Sequence, residues 1–248
     1  MLATLLHAGP PALAAFLASF VEFVEALTVI LAVGSVRGWR AALAGAGAAL
    51  LVLAAIVATL GPALTRIPVH LLQLAIGLLL LLFGLRWLRK AVLRAAGVIP
   101  LHDETAAYAR QTTAMRQHAR PPGWDKLAFA AALQITLLEG TEVVFIVIGI
   151  GAGGPGLLAP ASFGAFIALA LVALLGLALH RPLANVPENT LKFIVGGLLC
   201  GFGTFWTGAG IGLAWPGSDA ALLWLAAGFL IAGYLAVPFC RKAAPRRN

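Results

Sequence analysis

The sequence predicts an all-α, polytopic membrane protein with seven transmembrane helices: inverted three-helix repeats plus one extra helix. Three observations carry this. Of 248 residues, 61% are apolar and only 10% charged, against about 25% charged in an ordinary soluble domain. The mean hydropathy is +0.99. Apolar runs long enough for a crossing of about 20 residues alternate with short polar breaks. Such a chain is neither a soluble enzyme, nor disordered, nor a disulfide-stapled module. Cys200 and Cys240 form no C-x-x-C pair and read as small apolar residues. The net charge of +8 sits in short loops, where orientation signals belong, and is no mark of nucleic-acid binding.

Spans are expected near residues 11–34, 41–64, 68–88, 127–151, 158–180, 190–213 and 219–239. No Lys or Arg precedes the first apolar run, so that run reads as a span and not as a cleaved signal. Arg37 and Arg40 fall in the first connection, Arg66 in the second, and eight basic residues in and around loop 89–126. Arg181 and Lys192 fall in the fifth connection, and four basic residues in tail 240–248. Alternate connections thus hold sixteen basic residues on one side and one on the other. The basic side is expected in the cytoplasm, with the N-terminus outside and the C-terminus inside. Within loop 89–126, Asp103 is placed to cap a short polar helix that faces solvent and lipid headgroups, and His102, Asp103 and Glu104 are read as part of that solvated segment.

The chain repeats itself. At an offset of 119, Pro68, Leu72, Gly77, Phe83, Gly84 and Trp87 match Pro187, Leu191, Gly196, Phe202, Gly203 and Trp206, and Gly45 matches Gly164. At an offset of 117, Ser19 onward aligns with Thr136 onward. Glu22 then falls on Glu139, Glu25 on Glu142 and Gly34 on Gly151. The repeats are 9–88 and 127–213. Each holds three spans, an odd number, so the second copy is inverted, with 219–239 left as the extra helix. Transporters with such repeats place their site near mid-bilayer, at the repeat interface.

Four of the nine acidic residues, Glu22, Glu25, Glu139 and Glu142, lie near the centres of two spans. An ionised acid there costs about 2.5–3.5 kcal/mol on insertion scales. No basic residue lies in the central turns of the same helices, and Arg86 and Lys192 read as lying near the cytoplasmic face. The expected counter-charges are therefore protons and a bound cation. Residues three apart share a helix face, so Ser19, Glu22, Glu25 and Thr28 form one stripe and Thr136, Glu139 and Glu142 its counterpart, with Thr141 to the side. Gly140 is expected to admit another backbone closely. An all-oxygen ligand set suits Ca²⁺, Mn²⁺, Mg²⁺ or iron, and a cation entering it displaces protons.

Glu22-Phe23-Val24-Glu25 and Glu139-Gly140-Thr141-Glu142 resemble the paired E-x-x-E elements of the iron permease family. They are also similar to the acidic motif of the Golgi-type calcium/manganese–proton antiporter family. Both are grouped with the lysine exporter superfamily of small membrane carriers. The resemblance implies that the four glutamates bind a transported cation. Val21 and Leu138 stand where iron permeases carry Arg, and Glu25 and Glu142 where the antiporters carry Asp, so the metal stays open. The second element is also weakly similar to one in undecaprenyl-diphosphate phosphatases. Phosphoryl chemistry needs cationic clamps, and the element has no neighbouring Arg or phosphate loop.

The expected function is secondary transport of a divalent metal cation (Mn/Ca/Fe class) across a plasma or bacterial inner membrane, coupled to proton exchange. The chain is not expected to be an enzyme. Its partners are the metal as substrate, protons and the bilayer, with no cofactor, and an oligomer is possible. The alternative is an exporter of a cationic amino acid or other small organic cation, whose ammonium group pairs with the same carboxylates.

Overall fold

The computed structural model describes residues 2–64, 67–101, 103–118, 123–152, 156–179 and 187–243. Expectations on Arg66, His102, Arg120, Arg181 and the tail beyond 243 fall outside them. Helices run α1 Leu2–Arg37, α2 Trp39–Leu64, α3 Val69–Ala95, α4 Glu104–Arg116, α5 Lys126–Ala152, α6 Leu158–Leu179, α7 Glu188–Gly210 and α8 Ala221–Ala243. All but α4 are long and apolar enough to cross a membrane. Helix α1 starts before its expected position and carries Pro10 and Pro11 inside it. Proline lacks one donor and reads as a helix start, but in an apolar segment the flanking turns keep the helix going. Gly38, at φ 111°, makes the tight turn from α1 into α2, a backbone region that glycine enters freely.

The repeats are related by a pseudo-two-fold axis that the glycines make visible. A Cβ on Gly45 of α2 would collide with the carbonyl of Phe129 on α5; one on Gly164 of α6 would collide with the carbonyl of Ala12 on α1. Ala12 and Phe129 are 117 residues apart and Gly45 and Gly164 are 119 apart, so one contact is made twice. Helices α3 and α7 cross on the axis itself. Gly77 lies against the backbone of Thr207 and Gly196 against Leu88, while Gly84 lies against Cys200 and Gly203 against Leu81. Each pair maps onto the other at the same offset. Small residues let these backbones touch. The core then fills around Ile146, Ile150, Val195, Leu199, Trp87 and Trp206. Helices α1 and α5 also meet on the axis, and α8 packs on α7 and α3 at the periphery.

One end of the bundle is tied by Arg37, the last residue of α1. Its buried guanidinium grips Asp125 with two nitrogens, Nε 2.8 Å from Oδ2 and Nη2 3.1 Å from Oδ1. It also donates to the carbonyls of Met115 and His118. Asp125 Oδ1 accepts from the Ala128 N–H at 3.0 Å and so caps α5. Asp103 caps α4, accepting from the Ala106 N–H, as the sequence predicts. Helix α4 is not purely solvated, however: it packs on α1, with Glu104 and Met115 buried and the Tyr108 hydroxyl 3.0 Å from that of Ser35.

Leucine at Gly84 or Gly196 must push backbone from backbone. A loss of about 1–3 kcal/mol or more is expected, read as a lower melting temperature in detergent. Gly228→Leu, where nothing lies within 4 Å, should leave that temperature unchanged. Burial alone would raise the Asp125 carboxyl, but the Ala128 N–H and the Arg37 guanidinium outweigh it and hold it below its ordinary value. Its stabilisation is thus complete above about pH 3.9 and lost as pH falls further, through the depressed value. Asp125→Asn should cost about 3–5 kcal/mol at pH 7 and narrow the difference in melting temperature between pH 7 and pH 3.

Candidate cation site

Helices α1 and α5 run through the bilayer side by side because the inverted repeats meet there. Each carries its acids near the middle of its span, Gly9–Arg37 and Lys126–Gly151. Carboxylate oxygens of Glu22, Glu25 and Glu139 all lie within 4.8 Å of one another. Glu22 is 1% exposed and Glu139 6%, so two carboxyl groups of this close set are almost sealed from the outside. Buried carboxyl groups this close repel one another when all are ionised, so a proton or a shared cation relieves the group. Ser19 and Thr136, one turn away on their respective helices, are buried with hydroxyls that make no hydrogen bond. They are repeat mates, as are Glu22 and Glu139.

The other predicted residues lie differently. The Thr28 hydroxyl donates to the Val24 carbonyl of its own helix at 3.1 Å. Thr141 is exposed and donates to its own helix at Leu137. Glu142 stays out of the close group and faces Arg86, whose Nη1 is 3.9 Å away and whose side chain is 71% exposed. Gly140 meets the side chain of Leu53 on α2, not a backbone. The three-residue spacing puts Glu142 on the right side of α5, but the stripe winds around the helix, and one turn carries it beyond the contact with α1.

The largest correction concerns charge. The sequence assigns neutralisation to protons and a captured cation, yet Lys192 reaches the acids from α7. Its ammonium pairs with Glu25, lies 3.6 Å from Glu22 and 3.5 Å from Glu188, and sits 5.4 Å from the centre of the Trp87 ring. Lys192 is 4% exposed. Glu188 in turn accepts from Arg94 of α3 at 2.9 Å. A file of charged groups therefore runs from the end of the bundle that holds α4 toward its middle: Arg94, Glu188, Lys192, Glu25, Glu22, Glu139. Lys192 was missed because a lysine close to a polar break reads as a loop charge. The offset of 119 could have found it, since it sets Lys192 against Gln73, an amide inside an apolar span of the other copy.

Two cavities open elsewhere. One of about 500 Å³ is bordered by Asn189, Phe193, Tyr234 and Arg241. The other, about 370 Å³ and almost wholly apolar, is bordered by Phe23, Leu53, Gly140 and Phe166. Neither is lined by any of the four glutamates. Comparison of the chain with protein-family models, curated proteins and solved structures finds no match.

Glu25→Gln withdraws a carboxylate from a buried ammonium, and a loss of about 3–5 kcal/mol is expected. Glu139→Gln instead places an amide donor beside Glu22 and removes a like charge. The melting temperature of the metal-free protein should fall for the first variant and hold or rise for the second.

Proposed function

We propose that the protein is a secondary transporter of a small divalent metal cation of the Mn/Ca/Fe class, exchanged against protons. One observation carries the reading: three carboxyl groups from two inverted helices converge within 4.8 Å in mid-span, beside two buried hydroxyls that make no hydrogen bond. Intramembrane acids mark ion paths. Hard carboxylate and hydroxyl oxygens suit such ions, and among the described residues the site has no thiolate or imidazole to favour softer ones. A cation entering the carboxyl cluster displaces protons from it, which couples entry of one to release of the other. The repeat architecture supplies the axis about which access alternates between the two faces. The E-x-x-E elements similar to those of the iron permease family support the same ligands. The basic end, with α4, faces the cytoplasm and the N-terminus lies outside, in a plasma or bacterial inner membrane.

A second reading, export of a cationic amino acid or other small organic cation, has one observation in its favour: a primary ammonium, that of Lys192, already lies against Glu25 over an aromatic ring. Against it, neither of the two cavities described above is lined by the acids.

Uptake into proteoliposomes with Mn²⁺, Ca²⁺, Fe²⁺, lysine and arginine, with and without a pH gradient, separates the two. Expected are metal uptake driven by the gradient and proton release on metal binding. Glu22→Gln and Glu139→Gln should lower uptake at least about 10-fold, Glu142→Gln far less. Uptake of lysine but of no metal would overturn the reading.

A further inference from the structure

Lys192 has acids on two sides of one ammonium: Glu25 and Glu22 on α1, and Glu188 one turn back on its own helix. Its four-carbon stem turns without moving the backbone. Glu188 is pinned by Arg94 at 2.9 Å, so an anion is held at the second position whichever way the ammonium turns. A divalent cation and an ammonium repel and compete for the same oxygens, and Glu25 cannot serve both. The competition is one-sided, because the position equivalent to Lys192 in the first repeat is Gln73, which carries no charge.

We propose that Lys192 is the resident counter-ion of the cation site: its ammonium holds the α1 carboxylates while the site is free of metal and withdraws to Glu188 when a divalent cation enters. The inference rests on the metal-transport reading and adds to it. It makes Lys192 a residue that sets affinity without being a ligand. Its side chain offsets one negative charge on the α1 carboxylates through the interval between cargoes, and the entering ion must be charged enough to dislodge it. A monovalent cation of the same size gains less from Glu25 and should fail to do so. Glu188 and Arg94 are the receiving pair, outside the ligand set.

The test is calorimetric titration of the full-length protein in lipid nanodiscs with Mn²⁺ and, separately, Ca²⁺ at fixed pH. Lys192→Gln should bind at least one of them about 10-fold more tightly than the parent, within the usual span of coupling between sites. A role confined to structure gives no such gain. Lys192→Arg, whose fork grips a carboxylate more firmly, should bind several-fold more weakly. So should Glu188→Gln, which removes the place to which the ammonium withdraws. Uptake by Lys192→Gln should be slower than by the parent, despite the tighter binding. If the parent binds metal and Lys192→Gln binds no tighter, the counter-ion proposal falls and the transport reading stands. If Lys192→Gln does not fold, unchanged affinity in both Lys192→Arg and Glu188→Gln overturns it. If neither the parent nor any variant binds a divalent cation, the metal reading falls and takes this proposal with it.

Discussion

An ionised carboxylate in hydrocarbon must be met by opposite charge, a proton or several hydrogen bonds, because water is not there to solvate it. The packing of α1 against α5 depends on that constraint. Glu22 is all but sealed from the outside, with a carboxylate oxygen within 4.8 Å of one on Glu139 and its Oε1 3.6 Å from the Lys192 ammonium. These three side chains come from α1, α5 and α7. The polar centre thus ties both repeats together at the level where the helices would otherwise present only apolar surface. The glycine contacts between α3 and α7 act in the same sense from the opposite side. They bring the helix that carries Lys192 close to the axis, so that a lysine stem can span the remaining gap.

The ends of the bundle obey ordinary aqueous rules. Arg37 at the last turn of α1 meets the local negative end of the helix dipole, and its pairing with Asp125 joins the exit of one acid-bearing helix to the entry of the other. Asp125 also begins α5 by capping it. One ion pair therefore sets both the lateral spacing and the relative height of the two helices on which the glutamates ride.

Much of this was legible in the residues. Span count, repeat offsets and the Gly45–Gly164 equivalence follow from hydropathy and self-similarity, and the glycine contacts reproduce the offsets residue for residue. The convergence of Glu22, Glu25 and Glu139 follows from spacing and inversion together. Two things were not legible. The reach of Lys192 depends on how far α7 penetrates beside α1, a tertiary distance that no local pattern encodes. The separation of Glu142 from the group depends on helix rotation, where the 3.6-residue period and a three-residue spacing drift apart by a fraction of a turn. Thr28 and Thr141 turn back on their own carbonyls, an alternative that hydroxyl side chains always have inside a helix.

The mismatch between Gln73 and Lys192 has a consequence for how the chain must enter its membrane. Duplication and inversion make the outline of six helices nearly indifferent to which way up they stand. Charge is not indifferent, since only one copy brings an ammonium to the centre. A molecule inserted upside down would fit the lipid equally well yet turn its lysine-bearing half to the opposite compartment. Where arginines and lysines crowded at one end set the orientation of a chain, they also set which side of the membrane its electrically distinct half faces.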